Sequence, residues 1–121
     1  MKARACVILI AVTATGCFGP QRLTEEQKMN SSAGVERTQA VMAAGERNDR
    51  AKIPVLINRL EDDDPAVRLA AINTLRKMTG KDFGYVAYDD DVKRRGAVAK
   101  WREWWRKEGR GAAARPGGGT P

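Results

Sequence analysis

Residues 53–78 read IPVLINRLEDDDPAVRLAAINTLRKM, and the order of apolar, acidic and breaking residues in that stretch sets the fold class. Ile53, Leu56, Ile57 and Leu60 stand at i, i+3, i+4 and i+7, a single stripe on one face of a helix, with Lys52, Asn58 and Arg59 away from it. Glu61-Asp62-Asp63-Asp64 breaks the pattern and Pro65 follows. Asp64 is placed to cap a second helix, and Pro65 takes its first position, where the missing N–H costs nothing. That helix runs to about Met78. Val67, Ala71, Leu75 and Met78 form its main stripe, and Leu69 and Ile72 a second apolar face. A helix with two apolar faces must be covered on both sides, so neighbours are expected before and after it. Gly80 supplies the stop, and Arg76 and Lys77 in the last turn suit the helix dipole.

Working outward, the chain has 121 residues and a formal charge of +7, from 22 Lys and Arg against 15 Asp and Glu, with no His and two Cys. The missing histidine excludes Ser-His-Asp and Cys-His nucleophiles, an imidazole base and HExxH or Cys/His zinc sites. Two cysteines cannot build a zinc ribbon or a disulfide framework. Gly109 to Pro121 reads GRGAAARPGGGTP, too rich in Gly and Pro to bury a core, so 109–121 is expected to be a disordered tail.

The N-terminal stretch MKARACVILIAVTATGCFGP has the order of a secretory signal. Lys2 and Arg4 come first, then the apolar Ala5–Thr13, then the small residues Ala14-Thr15-Gly16 before Cys17. The apolar run is far below the roughly 20 residues that span a bilayer. Ala14 to Cys17 resembles the lipobox of bacterial lipoproteins, in which the signal is cut just before a cysteine that carries the lipid. Leu is usual three residues before that cysteine, and Ala14 stands there. The resemblance implies a signal peptide over 1–16, lipidation of Cys17 and a membrane-anchored lipoprotein at the cell envelope. An ordinary cleaved signal and an uncleaved N-terminus are the alternatives. Residues 17–32 then read as a polar tether, with a weak helix over Thr24–Met29 as the competing reading. The foldable part is 33–108.

The stretch from Ile53 to Met78 also resembles a HEAT-type repeat of the armadillo-like class. The resemblance rests on Pro54 in the first helix, the acidic turn ending Asp64-Pro65, the Val67-Arg68 pair, Ala70-Ala71 and Leu75. It implies core positions for Val67, Ala71 and Leu75, and polar ladders between repeats for Arg68 and Asp63 or Asp64. Upstream, Val35–Ala44 is similar to the second helix of a preceding repeat that enters the next through Asn48-Asp49. Pairing Val35 with Val67 gives a period of 32 residues and places Glu36 where Arg68 stands, so the first unit reads as degenerate. Downstream, Thr79–Tyr85 resembles the linker after terminal HEAT units in some bacterial proteins, which leads to a last helix rich in Trp and Arg.

That last helix is expected over Val92–Glu108, started by Asp91 with Asp89 and Asp90 before it. Ala97, Val98, Trp101, Trp104 and Trp105 share one side of it, and Lys93, Arg94, Arg95, Lys100, Arg102, Arg106 and Lys107 cover much of the rest. From Val92 to Pro121 there are nine basic and two acidic residues, and from Cys17 to Asp91 eleven basic and thirteen acidic. The body is slightly acidic and the end cationic. Three uses of this helix stay open. It caps the array through its tryptophans, lies on anionic lipid headgroups, or binds nucleic acid, the last disfavoured for an exported protein.

The acidic triplets 62–64 and 89–91 each precede a helix, where the dipole favours negative charge, and neither has the alternating spacing of a calcium loop. No Gly-rich phosphate loop is present between Val7 and Tyr85, so catalytic residues, cofactors and metals are all expected to be absent. The expectation is an all-α, short HEAT-like antiparallel array of about two repeats ending in a Trp-rich basic helix. Its expected role is a non-enzymatic protein–protein interaction or adaptor module, with a membrane-surface or polyanion binder as the alternative. The candidate contact residues are Lys100, Arg102, Arg106 and Lys107, and self-association is a further candidate.

Overall fold

The computed structural model describes residues 22–113. Residues 1–16, where a signal peptide is expected, Cys17 and the stretch 114–121 lie outside them. Every element among the described residues is helical: α1 (Glu25–Met29), α2 (Gly34–Glu46), a 3-10 turn (Arg50–Lys52), α3 (Ile53–Arg59), α4 (Pro65–Thr79), α5 (Asp91–Trp104), a π turn (Trp105–Gly109) and α6 (Arg110–Ala113). Helices α1 and α2 form one repeat and α3 and α4 a second. Helices α2 and α4 pack side by side, and α5 lies against α3. The fold is the expected all-α HEAT-like array.

The termini of the second repeat form as local chemistry dictates. Asp64 accepts a hydrogen bond from the Ala66 N–H at 2.8 Å, and Gly80 closes α4 in the left-handed conformation at φ 70°. Along these helices Ile53, Leu56, Leu60, Val67, Ala71 and Leu75 are fully enclosed. Ile72, on the second face of α4, is buried too, and Leu69 packs against the core from its edge.

Three boundaries and one helix type differ from the sequence reading. The tether assigned to 17–32 contains α1. Thr24 and Gln27 cap that helix reciprocally, and Met29 is buried in the core, so the folded unit starts at Thr24 and not at Ala33. Residue Asp90, not Asp91, caps α5, accepting from the Lys93 N–H at 2.9 Å. Within the helix expected over 92–108, α5 gives way to a π turn at Trp105, and the backbone stays helical through Glu108. Residues 109–113, assigned to the disordered tail, continue helically.

The first repeat is not degenerate at its arginine. Aligned by helix starts Gly34 and Pro65, the period is 31 residues and Arg37 matches Arg68. The hydrogen bonds repeat at the same offsets. The Nη1 of Arg37 donates to the carbonyls of Ser31 and Ser32, and that of Arg68 to the carbonyls of Asp62 and Asp63. Arg94, the fourth residue of α5, donates to the carbonyl of Asp89. Helical side chains point toward the N-terminus, so an arginine at the fourth position reaches back over the turn that feeds its own helix. Each ties down carbonyls that no helix satisfies.

The linker between α4 and α5 is part of the core. Tyr85 is fully buried and its hydroxyl donates to the carbonyl of Leu60, while Ala87 accepts from Arg68 Nε at 3.1 Å. Phe83 sits at φ 58°, a left-handed conformation that only close packing holds. Its ring meets Trp101 edge-on at a centroid distance of 4.8 Å.

Contact between α2 and α4 depends on Gly45. A Cβ there would stand 2.8 Å from Cγ2 of the buried Thr74. Gly45→Ala gains up to about 1 kcal/mol of helix propensity, but overpacking a close helix crossing costs about 1–3 kcal/mol. The expected net is a loss of about 1 kcal/mol, read as a lower urea midpoint. A raised midpoint would show that Thr74 moves aside freely.

Candidate functional site

Helix α5 and the turn after it carry the candidate contact residues, and all four are exposed. Three are already engaged within the chain. Arg102 pairs with Glu61, bringing the last helix to the turn between α3 and α4. Arg106 reaches Glu103 through two nitrogens, the shorter contact being 2.7 Å, and Lys107 reaches the same carboxylate at 2.8 Å. Hydrogen bonds from Arg106, then from Lys107, hold the Glu103 carboxyl down at about 2. Lys100 makes no ion pair among the described residues. The cationic end is therefore a lattice of alternating charge with a positive excess, and not a uniform basic stripe.

The three tryptophans of one helix side have different fates. Trp101 is completely enclosed, whereas Trp104 and Trp105 are half-buried at the edge of the core. The rings of Trp101 and Trp104 meet edge-on at 5.7 Å, and Trp105 follows at 6.2 Å from Trp104.

One surface depression lies between α2 and α4, and two adjoin α5 and the turn after it. A groove of about 290 Å³ runs between α2 and α4, lined by Met42, Glu46, Ala70, Asn73 and Lys77. A wide, mainly apolar depression is formed by Phe83, Ala99 and Trp104, with Lys100, Lys107, Glu103 and Glu108 beside them. A cleft of about 270 Å³ separates α3 from the chain's last turns, lined by Pro54 and Asn58 on one side and Arg102, Trp105, Arg106 and Arg110 on the other.

The polar ladder between repeats joins Arg37 to the expected Asp63 and, more extensively, to Asp62, while Arg68 bonds backbone carbonyls. Asp62 takes the bidentate fork of Arg37, at 3.0 Å from Nε and 2.8 Å from Nη2, and both side chains are buried. Asp64 serves as a helix cap, and Asp63 adds one contact to Arg37 from an exposed position. The sequence signal for Arg37 was its place four residues into a helix. Pairing the repeats by valine hid it.

No helix among the described residues is long and apolar enough to cross a membrane, and no group of three or more His, Cys, Asp or Glu gathers there as a metal site would require. Cys17 lies outside the described residues. No curated protein and no solved structure matches the chain. The HEAT-repeat family profile matches residues 26–99, from α1 into α5. That span covers more than half of the chain and both helix pairs, and the chain belongs to the HEAT-repeat family, whose repeats generally mediate protein–protein interaction.

Proposed function

We propose that this protein is an exported adaptor, anchored by lipid on Cys17 at the cell envelope and presenting its helical array to a protein partner without catalysing a reaction. The observation that carries the adaptor reading is the α2–α4 groove. Exposed Met42 lines it together with Ala70, Glu46 and Lys77, an adaptable apolar side chain beside one charge of each sign. An apolar centre with a polar rim is the usual anatomy of a protein contact. HEAT-repeat proteins are typically non-enzymatic, in keeping with that reading.

The anchor is supported by the sequence alone, through Lys2 and Arg4, the apolar Ala5–Thr13 and the small residues before Cys17. Acyl chains contribute about 0.8 kcal/mol per buried CH₂, so one chain holds weakly and two hold stably. Cys17→Ser is expected to move the protein from the detergent phase to the aqueous phase and to remove the lipid from its intact mass. Unchanged partitioning would remove the lipoprotein reading.

A photo-crosslinking residue at Met42, in membranes from the producing cell, is expected to yield a discrete adduct with one partner. Absence of any adduct there would count against the groove. The second reading, contact with anionic lipid headgroups, rests on the depression where half-buried Trp104 adjoins Lys100, which makes no ion pair among the described residues, although Glu103 and Glu108 line it too. If it holds, protein lacking the lipid will still sediment with anionic vesicles at low salt.

A further inference from the structure

The cleft between α3 and the end of the chain's last helix points to a specific class of partner. We infer that it receives an acidic peptide segment, whose carboxylates engage Arg106 and Arg110 while an apolar side chain rests against Trp105. The inference rests on the adaptor reading and names the chemistry of its partner.

Arg102, Arg106 and Arg110 follow one another at four-residue intervals and line the same cleft. Three guanidiniums face two rim carboxylates, Glu61 on Arg102 and Glu103 on Arg106, and Arg110 has no ion-pair partner among the described residues. Both existing pairs are exposed, and exposed pairs are worth only about 0–1 kcal/mol, so an incoming carboxylate can replace or share them. The planar fork of arginine matches a carboxylate through two parallel hydrogen bonds.

The apolar wall is built and held in place. Trp105 opens the π turn and its ring lies against Gly109, where an added Cβ would come within 2.9 Å of two ring atoms and closer still to a third. Glycine at this position lets the indole seat on the backbone of the turn. Pro54 and Asn58 of α3 supply the opposite wall, one apolar and one able to donate to or accept from a peptide group.

Shape and charge separate this occupant from its rivals. Residues on two facing sides, Pro54 and Asn58 of α3 opposite Trp105, suit an extended chain laid between them better than a flat lipid surface. A nucleic acid carries a phosphate charge on every residue, whereas Arg110 is the one guanidinium of the cleft without an ion pair among the described residues. A peptide with carboxylates set between apolar side chains fits the alternation that the cleft presents.

The test uses the purified full-length protein in detergent. The probes are a fluorescein-labelled synthetic peptide alternating glutamate with leucine, and the same peptide with glutamine for glutamate. Anisotropy is expected to show saturable, salt-sensitive binding of the glutamate peptide and at least about tenfold weaker binding of the glutamine peptide. Arg106→Glu and Arg110→Glu are each expected to weaken the glutamate peptide about tenfold, while Lys81→Glu, exposed and away from both the cleft and the α2–α4 groove, leaves it unchanged. Far-UV circular dichroism confirms that each variant folds, and Arg110→Gln replaces a charge reversal that does not.

Equal binding of the two peptides, or indifference to both arginine substitutions, would overturn the inference. Binding of phosphatidylglycerol vesicles or oligothymidine, lost in the same variants while the peptide stays unbound, would reassign the cleft. So would a dimer abolished by Arg110→Glu. A crosslinked partner at Met42 with no peptide bound at the cleft would overturn this inference and leave the adaptor reading intact. Failure of both would remove the adaptor reading as well.

Discussion

Trp101→Ala is expected to destabilise the protein by about 3–5 kcal/mol, the range for truncating a buried tryptophan. A domain of this size is stabilised by only a few kcal/mol, so a large fraction of the variant should be unfolded without denaturant. Trp101 is the largest fully enclosed side chain on α5, and Ala97 and Val98 are the other buried residues of that helix. Its loss leaves a cavity and also removes the ring that Phe83 packs against edge-on. Phe83 is then held in a left-handed conformation, at a cost of about 1–2 kcal/mol, with its main compensating contact gone. Trp101→Phe separates packing from hydrogen bonding. Trp101 Nε1 is buried without a partner among the described residues, so phenylalanine loses volume but no hydrogen bond. It should cost about 1–2 kcal/mol. Urea unfolding followed by far-UV circular dichroism reads both. Equal midpoints for wild type and Trp101→Ala would mean that α5 does not close the core.

What the chain discloses to a reader depends on how local the deciding interaction is. The α3–turn–α4 unit was legible because its stripe, its Asp64 cap and its Gly80 stop all act within one helical turn of themselves. Helix α1 was not. Its Thr24/Gln27 capping box is visible, yet five residues cannot hold a helix alone, and what holds this one is burial of Met29 by distant chain. The three tryptophans share a face in any periodic plot, so only packing separates enclosed Trp101 from half-buried Trp104 and Trp105. The cationic character of the last helix was plain, but Glu61, which neutralises Arg102, lies 41 residues away. The arginine cleft needed α3 beside residues 102–110, and neither segment announces the other.

Arg37→Ala is expected to cost about 3 kcal/mol, the low end for breaking a buried pair, because Arg59 stays beside Asp62. Asp62 would keep the N–H of Asp64 at 3.0 Å and a longer contact with Arg59 at 3.3 Å, but would lose both bonds of the fork. The carbonyls of Ser31 and Ser32 would lose their donor as well, loosening the junction of α1 and α2. Arg37→Lys should recover little, since an ammonium cannot span two carboxylate oxygens and two carbonyls at once. The same pair sets an acid limit on the fold. Burial pushes the Asp62 carboxyl upward, but hydrogen bonds from Arg37 and the Asp64 N–H outweigh it and hold the group below its ordinary value of 3.8. A carboxyl depressed in the folded state binds its proton more readily when unfolded. Its stabilisation is therefore complete above pH 3.8 and is lost as pH falls through the lower, folded value. Glu103 and other exposed carboxylates add to the acid slope in dilute buffer. At about 1 M salt the Debye length is about 3 Å, and their share shrinks while that of buried Asp62 persists. Wild type should then retain an acid loss of stability that an Arg37→Met/Asp62→Leu double variant lacks. Such a variant should be markedly more stable than Arg37→Ala, since it removes both charges together. If single and double variants unfold at the same urea concentration, the cost lies in the carbonyls of Ser31 and Ser32, and the fork between Arg37 and Asp62 contributes little.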